Sequence, residues 1–372
     1  MNQTKMTEYA GPGAGSRFGR LLPGSKRRWW AHAAVFLLLT GFLGRATAWG
    51  SVALLMEEPF GSFGAINPTG HAAVYLDHVC AESPTQLRLC RPGEYGVVIS
   101  RYHKIAGYDW IAIPLVPYLY AVEDVNDIPA SVDKAQVSAL RDAYRREHLE
   151  ELAPDDRKGR APRGEWVQLV GSSYDRTIHG FEVVSTAEQD ERFIAIFNDR
   201  KDVGHFNLFF HNCADFSRVV LDLYLPNAVH RSWIADLGLT TPKQVARSLV
   251  KYGREHPEAE MSAFVIPQVP GSMKRSHPVH GVTESLLKSK KYLLPLVVLS
   301  PVITGGVAVA YLSAGRMSLP KDAEVFNVGD QMLEPGEVRT ISGPANTGGG
   351  EGGSTGAAAL PVSSSESRVG GL

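Results

Sequence analysis

The chain has 372 residues, of which 44% are hydrophobic and 21% are charged, and its formal net charge is −1. This is an ordinary globular composition, and the near-neutral balance gives no reason to expect nucleic acid as a partner. Its three cysteines are too few for a disulfide-rich scaffold and lack the paired CxxC spacing of a structural zinc site, so we expect neither a cofactor nor a metal.

The first 48 residues have the pattern of an export signal. Lys26-Arg27-Arg28 precede an apolar stretch over residues 31–44, and Ala46-Thr47-Ala48 then supply the small residues that a signal peptidase recognises. The polar segment before this pattern is longer than in most signal peptides. The sequence therefore predicts a leader over residues 1–48, either cleaved or retained as an anchor.

Residues 49–268 have the mixed patterning of a globular domain. Strand-like patterns occur at residues 74–76, 96–102, 166–170, 181–184 and 206–210. Helical spacing begins near Val137 and Phe193, and Thr241-Pro242 has the N-cap and first-turn proline of another helix. Because strands and helices do not alternate regularly, the pattern favours an α+β fold over a doubly wound sheet.

A lone cysteine, Cys213, lies where an apolar strand is expected to become a helix. The residues that follow it have helical apolar spacing: Phe216, Val219, Val220, Leu223 and Tyr224. If Asn212 is the N-cap, Cys213 is the first helical residue, and its free backbone N–H can bind an oxyanion. The helix dipole would then lower the pKa of the thiol. The alternative is a small, buried and inert cysteine.

A histidine, His71, begins the strand-like run over residues 70–76. A histidine at the start of a strand, followed later by Asn212-Cys213 at the start of a helix, resembles the circularly permuted NlpC/P60 superfamily. This papain-like group includes the lecithin:retinol acyltransferase-like proteins and bacterial lipoprotein transacylases. The resemblance covers residues 67–225 and implies an α+β papain-like domain with an antiparallel sheet, in which Cys213 is the nucleophile and His71 its base.

The resemblance also implies a third polar residue, on the next strand, that orients the histidine. Ser100, Tyr102 and His103 are available there. We select His103, because imidazole is the commonest orienting group in the acyltransferase branch. The alternative is that His103 is a partly exposed histidine at the end of the strand.

The other two cysteines, Cys80 and Cys90, flank a short loop after the His71 strand. A disulfide between them is reasonable for a hairpin, would suit an oxidising compartment, and leaves Cys213 as the free thiol. The competing interpretation is a zinc ion held by His78, Cys80, Cys90 and His103.

The C-terminal part divides into three segments by composition. Residues 269–291 form a basic connector, residues 292–314 are uncharged and long enough for a transmembrane helix, and residues 315–372 form a Gly/Ser-rich tail that we expect to be mostly disordered. A buried core helix is the alternative for residues 292–314. The lysines before this segment favour a cytoplasmic location for that side, which conflicts with export of the domain.

Together these features predict a membrane-anchored cysteine hydrolase or acyltransferase of the cell envelope, with its globular domain on the extracytoplasmic side. Cys213 and His71 would act through a thioester on a peptide amide or a lipid acyl group. The expected partners are the lipid bilayer and a lipid, lipoprotein or cell-wall peptide substrate. The alternative is a non-catalytic, membrane-anchored binding module on the same fold.

Overall fold

The computed structural model describes residues 49–332, apart from residues 62, 63, 65, 66, 104, 205, 272, 318 and 320–322. The predicted leader over residues 1–48 and the tail beyond residue 332 lie outside the described residues.

A seven-stranded sheet forms the centre of the described part. The strands are β1 (Gly50–Glu57), β2 (His71–Leu76), β3 (Val79–Ser83), β4 (Gln86–Leu89), β5 (Val97–Ser100), β6 (Ile111–Pro114), β7 (Ile178–Ser185), β8 (Ser262–Ile266) and β9 (Glu324–Val325). The order in the sheet is β6-β5-β2-β1-β7-β8-β9, and β3 and β4 form a separate hairpin. The neighbours in the sheet are antiparallel, except that β8 and β9 are parallel.

Helices cover both faces of this sheet. They are α1 (Leu115–Tyr120), α2 (Lys134–His148), α3 (Ser172–Asp175), α4 (Ala187–Asp199), α5 (Cys213–Tyr224), α6 (Pro242–Glu255), α7 (Val282–Lys288), α8 (Lys290–Leu299) and α9 (Pro301–Ala310). Single 3₁₀ turns occur at Val125–Asp127, Glu165–Gln168, Pro257–Ala259 and Val328–Gln331. The structure is therefore an α+β fold, in agreement with the mixed sequence pattern.

The two faces of the sheet support two hydrophobic clusters, because neighbouring residues of a strand point to opposite faces. In β1, Leu54 belongs to the cluster under α4, α5 and α6, whereas Leu55 belongs to the cluster under α1, α2 and α3. All of β1 is buried. The central strands β1 and β2 are thus covered on both faces, and within β2 only the first residue, His71, is partly exposed.

The sequence-based strands at residues 166–170 and 206–210 are wrong. The first is a 3₁₀ turn. The second is a tight turn closed by reciprocal backbone hydrogen bonds of 3.0 Å between Asn207 and His211. The Asn207 Oδ1 atom accepts from the backbone N–H groups of Phe209 and Phe210, which fixes the turn and leaves both rings exposed.

The predicted transmembrane helix over residues 292–314 is also wrong. The segment forms two ten-residue helices, α8 and α9, followed by a π-helical turn at Tyr311–Gly315. Between them Ser300 has φ −156° and ψ 89°, because Pro301 disfavours a helical conformation for the residue before it. Within the described residues, no helix has the length and apolar character needed to span a bilayer. A buried core helix is not found either, since neither α8 nor α9 has a buried residue.

The folded domain also continues beyond residue 268, where the sequence placed its end. Val279 belongs to the core cluster, and Glu284 of α7 is buried against the Lys243 ammonium at 2.6 Å. Further along, β9 pairs with β8, and the Phe326 ring stacks on Phe264 with centroids 4.5 Å apart. The first part of the expected tail therefore completes one edge of the sheet.

Candidate active site

Helix α5 begins at Cys213, as its sequence pattern predicts. The Asn212 Oδ1 atom accepts from the backbone N–H of Asp215 at 2.9 Å, and the Asp215 carboxylate accepts from the Asn212 N–H at 3.4 Å. The Asn212 amide also donates to the carbonyls of Leu208 and Thr240, at 3.0 and 3.1 Å. The Asn212 side chain therefore links the turn before α5 to the loop before α6 and holds Cys213 in place.

His71 is the first residue of β2 and lies directly across from Glu57 of β1. Gly70 precedes it with φ +73°, and a Cβ atom at that position would lie 2.1 Å from the Glu57 carbonyl oxygen. Only glycine adopts this conformation and allows this close approach without strain. The glycine thus lets the chain enter β2 with the imidazole beside the buried end of β1.

The structure brings Cys213 against the strand that begins with His71. The sulfur is within hydrogen-bonding reach of the backbone N–H of Ala72, the residue after His71, and also of the N–H groups of Cys213 and Ala214. The residue is buried, with 9% of its surface exposed. The described contacts include no hydrogen bond from the sulfur to the imidazole itself.

The group that hydrogen-bonds the imidazole is Ser100, at the end of β5. Its Oγ atom donates to the Ala72 carbonyl at 2.7 Å and lies 3.0 Å from His71 Nε2. A hydroxyl has one hydrogen, which the carbonyl takes, so Oγ accepts from an Nε2–H group. The imidazole of His71 therefore carries its hydrogen on Nε2, and its Nδ1 atom can accept a proton as a base.

The described contacts include no hydrogen bond or ring contact between the imidazole and His103, which the sequence selected for this orienting role. It is exposed and lies edge-on to Phe206, with ring centroids 5.4 Å apart. Because β5 ends at Ser100, His103 follows in a loop rather than on the strand that pairs with β2. Tyr102 instead stacks on His71, with centroids 5.1 Å apart and ring planes inclined by 27°.

Burial decides the protonation of both central groups. It lowers the pKa of His71 to about 4 and raises the pKa of Cys213 to about 11. Backbone N–H groups near the sulfur favour the thiolate, but they do not offset the loss of hydration. Near neutral pH the pair is therefore a thiol and a neutral imidazole, because burial raises the thiol pKa more than the N–H groups at the helix start lower it.

A buried ion pair that the sequence analysis missed lies behind His71. Glu57 Oε2 is 2.8 Å from Arg176 Nη1, and it accepts from Ser172 Oγ at 3.0 Å. Tyr118 donates to the other carboxylate oxygen. The sequence gives one indication of this ion pair, namely a carboxylate, that of Glu57, at the end of the apolar residues of β1. The two charges act on the His71 pKa in opposite directions, so desolvation remains dominant.

Cys80 and Cys90 form a disulfide that closes the β3–β4 hairpin, with Cα atoms 4.9 Å apart. The sulfurs bond to each other and are not arranged as zinc ligands. His78, another ligand in that alternative, has its Nδ1 atom 2.8 Å from Asp77 Oδ1. Cys213 is the remaining thiol.

A pocket of about 170 Å³ lies beside the start of α5. Asp215 and Phe216 line it from the helix, and Arg101 lines it from the end of β5. One guanidinium nitrogen of Arg101 is 3.5 Å from the carbonyl oxygen of Asn212. The pocket therefore borders the segment that holds Cys213.

No protein-family model matches the chain, and no curated protein matches it. The solved structure of a type VI secretion system effector, TseH, is similar with a TM-score of 0.28 and 12% sequence identity. The match covers 59% of this chain and 94% of the effector. These values are too low to transfer a fold or an activity to this chain.

Proposed function

We propose that the protein is a cysteine hydrolase or acyltransferase in which Cys213 is the nucleophile and His71 is the general base. The observation that carries this proposal is the hydrogen bond from His71 to Ser100, which leaves Nδ1 as the basic nitrogen. The thiol is held against the neighbouring residue Ala72, so nucleophile and base lie on adjoining elements.

The reaction begins from the neutral pair. The thiol proton passes to His71 Nδ1 as the sulfur–carbon bond forms, and the carbonyl electrons move onto oxygen. The backbone N–H at the start of α5 stabilises this oxyanion. When the tetrahedral intermediate collapses, the imidazolium gives its proton to the leaving amine or alcohol, and a thioester remains on Cys213. Water or an acceptor nucleophile then attacks the thioester and gives its proton to His71, and as the carbon–sulfur bond breaks the imidazolium returns this proton to the departing sulfur, which restores the neutral pair.

The substrate is proposed to be a peptide amide or a lipid acyl group, including that of a lipoprotein or a cell-wall peptide. We also propose an extracytoplasmic location, because a disulfide such as Cys80–Cys90 persists in oxidising compartments.

Hydrolysis of 4-nitrophenyl acetate, with mass spectrometry of the acyl-enzyme, tests the proposal. Cys213→Ala is expected to abolish the acyl adduct and reduce hydrolysis to background. His71→Gln should lower kcat/KM at least about 100-fold, the usual contribution of a general base. His103→Ala is the matched control and should leave the rate unchanged. An acyl adduct that persists in Cys213→Ala, or equal losses in the two histidine variants, would overturn the assignment.

A binding module on the same fold is the second candidate. Its support is the buried, neutral thiol and the lack of a hydrogen bond between sulfur and imidazole in the described contacts. In that case neither the acyl adduct nor turnover is expected from the unaltered protein, with any acyl ester tried.

A further inference from the structure

The pocket beside the start of α5 is lined by more positive than negative side chains, and neither Cys213 nor His71 is among its lining residues. The cationic side chains that line it are Arg101, Arg200, Lys201, Arg218 and Arg231. Two carboxylates, Asp109 and Asp215, line the same pocket. The lining thus holds five positive and two negative side chains, which leaves a surplus of positive charge.

Both carboxylates are already engaged. Asp109 receives two hydrogen bonds of 2.7 Å from Arg101, and Asp215 pairs with Arg231 at 2.8 Å. Each of these pairs is close to neutral as a unit, so neither carboxylate is free to bind a further cation.

The other cations are less fully paired. Arg218 reaches Asp222 at 3.4 Å, along its own helix. Arg200 and Lys201 are exposed, and neither forms an ion pair with a carboxylate of the described residues; the Arg200 guanidinium lies over the Phe197 ring. Their charges are therefore available to a ligand.

The floor of the pocket is aromatic. Phe197, Phe216 and Trp110 contribute to its lining. The Arg200 guanidinium lies 5.8 Å from the centre of the Phe197 ring, and the Arg101 guanidinium lies 5.3 Å from the centre of the Phe216 ring. A short hydrocarbon chain fits such a floor, while an oxyanion at its end would meet the guanidinium groups.

We propose that this pocket binds an anionic group, a carboxylate or a phosphate, carried by the acyl substrate of Cys213. The inference rests on the proposed function, since it assumes that the acyl carbonyl reaches the thiol. Arg200 and Lys201 provide the uncompensated charge, and Arg101 connects the pocket to the carbonyl of Asn212, directly before the nucleophile. The site would therefore prefer acidic acyl chains over neutral ones of equal length.

Two esters with the same chain length test this preference. Mono-4-nitrophenyl glutarate ends in a carboxylate, whereas 4-nitrophenyl valerate ends in a methyl group. We expect a higher kcat/KM for the glutarate ester. The double variant Arg200→Gln/Lys201→Gln should lower the glutarate-to-valerate ratio about tenfold, as expected for the loss of two partly exposed charge contacts. Lys251→Gln, an exposed lysine of α6 outside the pocket, should leave the ratio unchanged. An unchanged ratio in the double variant would overturn the inference.

Calorimetry distinguishes a substrate that carries a phosphate from one that carries a carboxylate. Inorganic phosphate and glutarate are titrated separately into Cys213→Ala, with and without the double substitution. If phosphate binds, glutarate does not, and the double substitution abolishes the binding, the substrate carries a phosphate. If glutarate binds, phosphate does not, and the double substitution abolishes the binding, the substrate carries a carboxylate. If neither binds, the pocket proposal fails. If both esters are still hydrolysed by Cys213→Ala, the proposed function fails, and calorimetry still decides the pocket independently.

Discussion

Ser100, the smallest of the three side chains that could orient His71, is the one that fixes the tautomer of its imidazole. The serine hydroxyl links the imidazole to the Ala72 carbonyl, and Ala72 also offers its N–H group to the sulfur. A single residue of β2 therefore connects the nucleophile, the base and the orienting group. His103 is an equally reasonable candidate in the sequence, but the end of β5 places it in a loop.

Ser100→Ala should impair the base without unfolding the protein. It removes the acceptor for the Nε2–H group, so the fixed tautomer is lost, and we expect kcat/KM to fall about tenfold, as for the loss of one buried hydrogen bond. Nitrogen NMR of the imidazole should show a mixture of tautomers in this variant and a single tautomer in His103→Ala. A single tautomer in both variants would contradict the role of Ser100.

The burial of the pair predicts its pH dependence. With the pKa of His71 at about 4 and that of Cys213 at about 11, alkylation by iodoacetamide should accelerate steadily as the pH rises towards 11, because the thiolate fraction grows. No titration step is expected between about pH 5 and pH 9. A plateau beginning in that range would show a thiolate–imidazolium pair instead.

The same burial affects folding. The pKa of His71 is lower in the folded protein than its ordinary value of 6.5, so the unfolded chain binds the proton more readily. The stability contributed by the neutral imidazole is present above pH 6.5 and is lost as the pH falls through about 4. Between pH 4 and pH 7, the melting temperature of His71→Gln should change less with pH than that of the unaltered protein.

At the scale of elements, β2 and α5 create the site by meeting at their first residues. Helix α5 is specified by local signals, because its cap, its apolar spacing and its first residue lie within a few positions of one another. Strand β2 depends on more distant contacts, since Gly70 must pass close to the Glu57 carbonyl before His71 can pair with β1.

Gly70→Ala should therefore lower the free energy of unfolding more than an ordinary glycine substitution in a turn does. Gly93 has a similar φ of +88° but has no atom within 4 Å of an added Cβ, so it is the matched control. Gly93→Ala is expected to cost about 1 kcal/mol from backbone strain alone, and Gly70→Ala at least about 2 kcal/mol, because the Cβ would also displace β1. Urea unfolding gives both values, and equal losses would contradict the close-approach argument.

At the scale of the whole molecule, the region after residue 268 belongs to the fold. Lys243 of α6 is 9% exposed, and its charge is balanced by Glu284 of α7. The same carboxylate also accepts from Lys288 at 2.6 Å. This pairing ties the C-terminal helices to α6, which packs in the same layer as α5, so it contributes to the support of the site.

Glu284→Gln should destabilise the protein strongly, because it leaves a buried ammonium without its counter-charge. The expected cost is about 3–5 kcal/mol. Glu255→Gln breaks an exposed pair with Lys251 at 3.7 Å and should cost less than about 1 kcal/mol. The free energy of unfolding in urea provides the comparison. A similar small cost for both variants would mean that α7 is not energetically coupled to the domain.

The sequence by itself determined what depends on near neighbours: the start of α5 at Cys213, the strand after His71 and the α+β class. It failed where distant parts of the chain decide the outcome. The Ser100 hydrogen bond, the Glu57–Arg176 pair and the cationic pocket each join residues from separate elements, and no local pattern encodes such a meeting. At residues 206–210 and 292–314, apolar composition suggested a strand and a membrane helix. In the first segment the Asn207 side chain accepts backbone hydrogen bonds that fix a turn, and in the second Pro301 restricts the backbone of the residue before it, so neither segment forms the element that its apolar composition predicts.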